Sequence, residues 1–574
     1  MAERGLRVAS GVVAAGATLG VAEILSAWIG ADSAPLQAVG ATVVDRTPDG
    51  LREWVIDTFG TSDKLLLYVI MGVVAVLVAA VAGLIERVRW PAGSVLLGVF
   101  GAVSAIAALT RPHSAWTWAL PSMIGATVGI MVLRGLIRRI EELPATSVAA
   151  TGAGDPLSVQ SPSFRHTFGR DPLLRGGGFR PKARRNDEGA RRNDEGGGSA
   201  ADGGTATASS ASASEGDSRF DRRRVVRAIG TVGAVAVGAG LVGRWLGAQA
   251  RDVSGERAEV RLPPPSGPVA EVEPGTELRI PGLASYLTPN TNFYRIDTAL
   301  VLPQVSKEEW SLRIHGMVDR EVRLTYADLA ARPAIERLIT LACVSNPIGG
   351  DLIGNARWLG YRLDELLAEA GPHPDADMVL SRSRDGWTAG SPLAVLTDGR
   401  DAMLAVGMNG EPLPVRHGYP ARLVVPGLYG YVSATKWVTE LEITRFDRAQ
   451  AYWTKRGWSE YGPIKTGTRI DTPRQRARLE TGRIAVAGVA WAQHRGIRGV
   501  EVRIDSGEWQ PARLAAEPTV DSWRQWVLDW DATAGEHTIT ARATDGTGAT
   551  QTAERRDVVP DGATGYPSVT VRVG

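Results

Sequence analysis

The 574-residue chain contains one cysteine, Cys343, and seven histidines. A single cysteine excludes an intramolecular disulfide, a multi-cysteine zinc site and an iron–sulfur cluster held by the chain alone. Two roles remain for Cys343. It is either a small buried hydrophobe, the usual fate of a free cysteine, or one thiolate acting as nucleophile or soft-metal ligand. Histidine is missing from every long apolar run: His113 falls between two of them and the other six lie beyond residue 160. A bis-histidine haem inside the apolar half is excluded on ligand grounds. A surplus of one charge is missing too. The net charge is +2, so no global field points to nucleic acid or an acidic partner.

What is present is unevenly spread over a length that allows about three to five domains. Four apolar stretches precede residue 140: Val8–Ile29, Leu65–Ile85, Ala92–Leu109 and Trp116–Leu133. Each has about the 17–25 residues that cross a bilayer as a helix, which reads as a four-span α-helical membrane bundle over 1–140 with membrane lipid as its partner. Arg4 and Arg7 precede the first stretch, and Arg87 and Arg89 separate the second from the third. Arg134, Arg138 and Arg139 end the fourth, whereas the loop after the first is acidic (Asp32, Asp45, Asp49, Glu53, Asp57). The positive-inside rule then puts the N-terminus in the cytoplasm and returns the chain there after the fourth span.

Residues 141–221 are rich in Gly, Ser, Ala and Arg, and Ala183–Gly189 repeats at once as Ala190–Gly196. Such a segment buries too little apolar area to offset its ordering entropy and reads as a disordered cytoplasmic linker. Over 222–248, Arg222, Arg223, Arg224 and Arg227 precede the apolar Ala228–Leu246. This is a fifth transmembrane span or a twin-arginine-like signal anchor, although the Phe-Leu usual after the arginine pair is replaced by Val225-Val226. Both readings place everything after about Gln249 outside the cytoplasm, in a multi-pass protein of the cell membrane.

The outer half opens with a proline-rich run, Leu262–Pro268, and carries four motifs. The first is Thr288-Pro-Asn-Thr-Asn-Phe-Tyr-Arg-Ile-Asp297. The second runs from Leu338-Ile-Thr-Leu-Ala-Cys-Val-Ser-Asn346 to Gly354-Asn-Ala-Arg-Trp-Leu-Gly360 and an amphipathic stretch ending at Leu367. The third is Met408-Asn-Gly410 followed by Arg416-His-Gly-Tyr-Pro-Ala-Arg422, and the fourth is Tyr429-Gly-Tyr-Val-Ser-Ala-Thr-Lys-Trp437. Leu338–Leu341 reads as a short buried strand, with Cys343 opening the loop after it. From about Pro281 onward these motifs resemble the sulfite oxidase family of molybdenum enzymes.

The resemblance implies an α+β molybdopterin-binding oxidoreductase domain over 249–472. In it Cys343 binds molybdenum and is catalytic, and Arg295 lines the substrate face. Phe293, Tyr294, Asn346, His417, Arg422, Ser433 and Lys436 hold the molybdenum–molybdopterin cofactor. Arginine suits this task through bidentate phosphate contacts, and histidine as a donor of little bulk. Asp297 stands where the family has a histidine. Over 473–574, short alternating runs such as Ile484–Trp491, Val500–Ile504, Trp523–Trp530 and His537–Thr544 read as a β-sandwich, its tryptophans core rather than site. The resemblance makes it an immunoglobulin-like domain that supports a homodimer.

Two departures leave the substrate open. The family's arginines soon after the ligand cysteine are replaced by Pro347 and Ile348, and its tyrosine before Met-Asn-Gly by Val406. Sulfite is a small dianion that needs fixed donors, each charged hydrogen bond being worth about 1.5–3 kcal/mol. The expected activity is two-electron redox chemistry of the oxygen-atom-transfer type on a small molecule, either sulfite or an S- or N-oxide. No haem is expected: a cytochrome b5-like His-Pro-Gly-Gly motif is missing, so electrons leave to a separate carrier. The alternative is a membrane receptor or scaffold that kept the fold without catalysis.

Overall fold

The computed structural model describes residues 2–59, 63–112, 114–142, 213–269 and 271–574. Five helices among them are long and apolar enough to cross a membrane. They are Ala2–Ile29, Asp63–Ile85, Ala92–Leu109, Leu120–Glu141 and Ala213–Arg251. The fifth begins at Ala213, inside the stretch read as linker; residues 143–212 of that stretch, like His113, lie outside the described residues.

The first helix is the hub of the bundle, packing against the second, fourth and fifth. Small residues let the backbones approach, as is usual where packing rather than hydrophobicity must hold apolar helices together. A Cβ on Gly11 would lie 2.0 Å from the Ala79 carbonyl, and one on Gly83 2.0 Å from the Arg7 carbonyl. The acidic loop after the first helix is itself helical, over Pro35–Arg46 and Asp49–Phe59. Proline at the first helical position is the start signal there.

The C-terminal half begins with two five-stranded assemblies. In one, Val322–Thr325, Ser311–Gly316, Val438–Thr444, Met378–Ser383 and Thr388–Pro392 lie side by side. In the other, Ile335–Ala342 pairs with Ile353–Arg362, which pairs with Met403–Met408; Glu411–Pro412 and Arg422–Val424 both pair with Met403–Met408. The amphipathic stretch forms the helix Leu363–Ala370, which buries Leu363, Leu366, Leu367 and Ala370. The 3.6-residue period puts those four on one face.

The last hundred residues form two facing sheets. One is built on Gly467–Thr472, Gly482–Trp491 and Arg524–Ala532. The other is built on Ile497–Ile504, Gly535–Asp545 and Ser568–Val573. Val486, Ala490 and Trp526 of the first meet Val500, Val502, Ile539 and Ala541 of the second in one core. The four runs expected as strands are strands, because alternation along a sheet with one buried face is a short-range signal.

A buried hydrogen-bond knot ties this sandwich to the second five-stranded assembly. Thr340 Oγ1 donates to Asn355 Oδ1 (2.9 Å) and accepts from the Trp523 backbone N–H (2.8 Å). Asn355 Nδ2 and Trp523 Nε1 both donate to the Tyr286 carbonyl, and Gln493 donates to the Thr340 carbonyl. Thr340→Val strands two buried polar partners and is expected to cost about 2–4 kcal/mol. Thr340→Ser, which keeps the hydroxyl, is expected to cost about 1 kcal/mol. Thermal melts of the full chain followed by tryptophan fluorescence check the difference.

Candidate active site

Cys343 is the first residue after the strand Ile335–Ala342, in the loop that returns to Ile353. Its N–H donates to the Leu352 carbonyl (2.9 Å), and its carbonyl accepts from Asn346 N–H (3.1 Å). The Asn346 side chain accepts from Leu352 N–H (3.0 Å), so Asn346 closes this loop. Burial pushes the Cys343 thiol up, opposed by donors from Ser345 and by the charge of Lys436. A free thiol here keeps its proton at neutral pH, and a cation on the sulfur is what displaces it. Among the described residues no three His, Cys, Asp or Glu side chains gather. A metal at Cys343 would therefore need ligands that a cofactor brings.

Around the thiol lie buried aromatic and cationic groups. Phe293 stacks on Tyr294 with ring centres 5.3 Å apart, and meets Trp358 and His417 edge to face, each at 5.7 Å. Tyr294 is half-buried, and burial, then the neighbouring Cys343, pushes its phenol far up. Arg422 opens the strand Arg422–Val424 and is only 5% exposed. Its guanidinium donates to the carbonyls of His417 (3.2 Å), Leu423 (3.3 Å) and Ala434 (3.4 Å) and lies 5.1 Å from the Trp358 ring centre. No carboxylate pairs with it among the described residues. Burial pulls its pKa down to about 10.

His417 ends a short turn over Val415–His417 and is buried. Its Nε2 lies 3.0 Å from the Asn290 carbonyl and must donate there. Burial, then the charge of Arg422, pushes the ring down to about 3, so it is neutral. Nδ1 is therefore an acceptor. This corrects the expectation that His417 donates to the cofactor: its one N–H is spent on Asn290. Asn290 is fixed in turn by Asn409, whose side chain donates to Asn290 Oδ1 (2.8 Å) and to the Thr288 carbonyl (2.9 Å). Asn409 and Gly410 have φ of 52° and 80°, the left-handed pair that a two-residue hairpin turn requires.

Lys436 donates to Asp297 Oδ2 (2.8 Å) and to the Ile296 carbonyl (3.1 Å). Arg295 Nε reaches the same oxygen at 2.9 Å, and its side chain is 31% exposed. Burial alone would raise Asp297, but Lys436, Lys64 and Arg295 outweigh it and hold the carboxylate at about 2. Burial lowers Lys436 to about 8 against the pull of Asp297. Gly418, at φ 111°, lets these groups converge: a Cβ there would sit 3.0 Å from Arg422 Cβ and 3.2 Å from Lys436 Cα.

The structure thus gathers Cys343, Phe293, Tyr294, His417, Arg422, Lys436 and Arg295. Ser433 stands apart in kind, because its hydroxyl donates to the Tyr429 carbonyl (2.9 Å) one turn back. Asn346 faces a neighbouring cavity of about 280 Å³, with Tyr429, Pro347, Ile348 and Lys465 in its wall. Sequence reasoning missed Asn290 and Asp297 as organising groups. Asn409 carried a readable signal in its Asn-Gly pair; the bond from Asn290 to His417 carried none.

Comparison with known proteins agrees with this chemistry. Residues 299–453 match the oxidoreductase molybdopterin binding domain. A stretch of 172 residues is 31% identical to the uncharacterized oxidoreductase YuiH of Bacillus subtilis (strain 168), covering 30% of this chain and 83% of that one. Human mitochondrial sulfite oxidase is 28% identical over 300 residues, 44% of this chain and 54% of the relative. Among solved structures, the sulfane dehydrogenase SoxCD of Paracoccus pantotrophus is 26% identical, with a TM-score of 0.45 over 50% of this chain and 83% of that chain. The chain belongs to the sulfite oxidase family of molybdopterin oxidoreductases. It spans about half the length of the mammalian sulfite oxidases it matches.

The residues present fit the family's cofactor. They supply one thiolate for a soft metal, a buried cation lacking a counter-anion, and a neutral imidazole acceptor beside it. The charged guanidinium is about 3 kcal/mol less favourable here than in water, at 1.36 kcal/mol per pKa unit. Arg422→Met is accordingly expected to leave the cofactor-free protein as stable, or about 1–3 kcal/mol more stable. Bound molybdenum should fall at least about tenfold as a charge-assisted contact is lost. Melting curves and metal analysis on the same preparations check both; a variant that unfolds outright contradicts the uncompensated charge.

Proposed function

We propose that this protein is a membrane-anchored molybdopterin oxidoreductase whose active site faces away from the cytoplasm. The observation that carries this reading is the buried, carboxylate-free guanidinium of Arg422 in the same site as the lone thiol. When bound, the cofactor would supply two-electron redox chemistry with oxygen-atom transfer. Cys343 would hold the metal through its thiolate. Arg422 and Lys436 would hold the cofactor's anionic end, and His417 Nδ1 would accept from an N–H elsewhere on the cofactor. Phe293 and Tyr294 would exclude water from the thiol. Arg295, the most exposed of the cations, would orient the substrate. Ser433 and Asn346 would act by shaping the backbone around the pocket.

The substrate is a small molecule, sulfite or an S- or N-oxide, and the loop after Cys343 favours the second. It carries Pro347 and Ile348 where arginines would hold a dianion, and Lys465 is the one charged residue lining the cavity beside it. Lys465 is already engaged by Asp561 and the Gly562 carbonyl. Electrons would pass to a separate carrier, and the C-terminal sandwich would be the immunoglobulin-like dimer contact. A non-catalytic scaffold would have no use for an unpaired buried cation beside a metal-ligating thiol.

Purified full-length protein from a host that makes the cofactor is expected to contain about one molybdenum and one pterin per chain. With an artificial redox dye it should turn over sulfoxides or N-oxides faster than sulfite. Cys343→Ser should melt at the wild-type temperature and lose at least about 1000-fold in turnover; a variant with wild-type activity refutes the ligand assignment. The topology has its own test in a Cys343→Ser background. Arg89→Cys should react with a membrane-impermeant maleimide only after lysis, and Glu460→Cys in intact cells.

A further inference from the structure

Asp297 divides its two oxygens between two parts of the protein. Oδ2 takes Arg295 and Lys436 from the oxidoreductase side. Oδ1 takes Lys64, which lies in the first turn of the apolar helix Asp63–Ile85, at 3.1 Å. Lys64 Nζ also donates to the Ala299 carbonyl at 2.5 Å. The Asp297 side chain is 6% exposed and that of Lys64 26%, so this is a largely desolvated contact and not a solvated surface pair.

A second, independent contact fixes the same seam. Gly40, in the helix Pro35–Arg46, faces Leu300 and Met71 together: a Cβ there would lie 3.2 Å from Leu300 Cδ1 and 3.3 Å from the Met71 sulfur. Three residues beyond Asp297, the chain therefore packs against the helix Pro35–Arg46 of the membrane module. The stretch Asp297–Leu300 is gripped by the module at both ends. Without Lys64, one oxygen of a buried carboxylate loses its charged partner. The carboxylate is then free to turn toward Lys436 and Arg295, and both cations shift with it.

We propose that Lys64 is a positioning residue of the active site: it orients Asp297 and, through it, Lys436 and Arg295. The membrane module is then part of the apparatus that holds the cofactor's anionic end and the substrate, and not only an anchor. This rests on the reading that the site binds a molybdopterin cofactor. Lys64 itself precedes the family-matched residues by more than two hundred positions, so its role belongs to this chain's own architecture.

The test uses the full chain in lipid nanodiscs, as wild type, Lys64→Gln, Lys64→Arg, Asp297→Asn and the Lys64→Gln/Asp297→Asn double variant. Pterin release on dilution, followed by fluorescence, is read beside KM and kcat. Lys64→Gln should release pterin about tenfold faster and raise KM about threefold with kcat within about twofold. Lys64→Arg should restore both values, and the double variant should be no worse than Asp297→Asn alone, since the two residues act in series. Wild type that holds molybdenum and pterin, with Lys64→Gln indistinguishable from it, overturns the positioning role alone. Losses that add in the double variant overturn it as well, because Lys64 would then act elsewhere. Wild type that holds neither molybdenum nor pterin overturns this inference together with the functional reading beneath it.

Discussion

A guanidinium buried without a carboxylate among the described residues is the constraint around which the C-terminal half is arranged. Arg422 is left with three backbone carbonyls and the face of Trp358, partners that satisfy hydrogens without neutralising charge. Such an arrangement costs stability unless an anion arrives. The protein surrounds it with features that make sense only together. Gly418 admits Lys436 to close range, and His417 is kept neutral so that no second positive charge is added. Asp297 neutralises part of the charge of Lys436 and Arg295 but leaves Arg422 alone. The net positive balance is what an anionic cofactor end would relieve, and it explains why the most buried of the site's three cations is the one without a carboxylate among the described residues.

The rigidity that holds this balance comes from two knots on either side of the thiol. On one side Asn409, in a left-handed conformation, ties Thr288 and Asn290 to the hairpin turn after Met408. On the other, Thr340 ties the cysteine's own strand to Trp523 of the C-terminal sandwich. Thr340 is three residues before Cys343 on the strand Ile335–Ala342. The sandwich is thus coupled to the thiol's position through backbone, a short and stiff path. Its tryptophans are core and knot rather than site, and through Trp523 they still bear on the site's geometry.

How far the sequence disclosed this depends on the range of each interaction. The strand before Cys343, the helix Leu363–Ala370 and the sandwich strands were legible, because their patterns repeat within a few residues. The family resemblance brought the cofactor chemistry and marked Cys343, His417, Arg422 and Lys436, which the structure gathers into one site. It did not disclose that His417 spends its N–H on a carbonyl 127 residues away. Nor did it disclose that Ser433 spends its hydroxyl on its own turn. Hydrogen-bond direction is decided by partners that folding delivers, and spacing along a chain carries no trace of them. The helices Pro35–Arg46 and Asp49–Phe59 were hidden for a different reason: their acidic residues suit a loop, and a lone proline marks a turn as readily as a helix start.

The two ends of the helical bundle are finished in different ways, and the difference bears on what the bundle is for. At one end the charges close on themselves. Glu86 is 1% exposed and accepts from the N–H and hydroxyl of Ser94, at the start of the helix Ala92–Leu109. Arg7 donates to the Glu86 carbonyl and pairs with Glu141. At the other end Lys64 reaches the carboxylate of Asp297, 233 residues along the chain, and Gly40 meets Leu300. Desolvating an ammonium against a carboxylate so far along the chain is more than an anchor requires. Completing one end with the oxidoreductase domain links the position of that domain to the bundle, and it does so at the carboxylate that also organises the site's mouth.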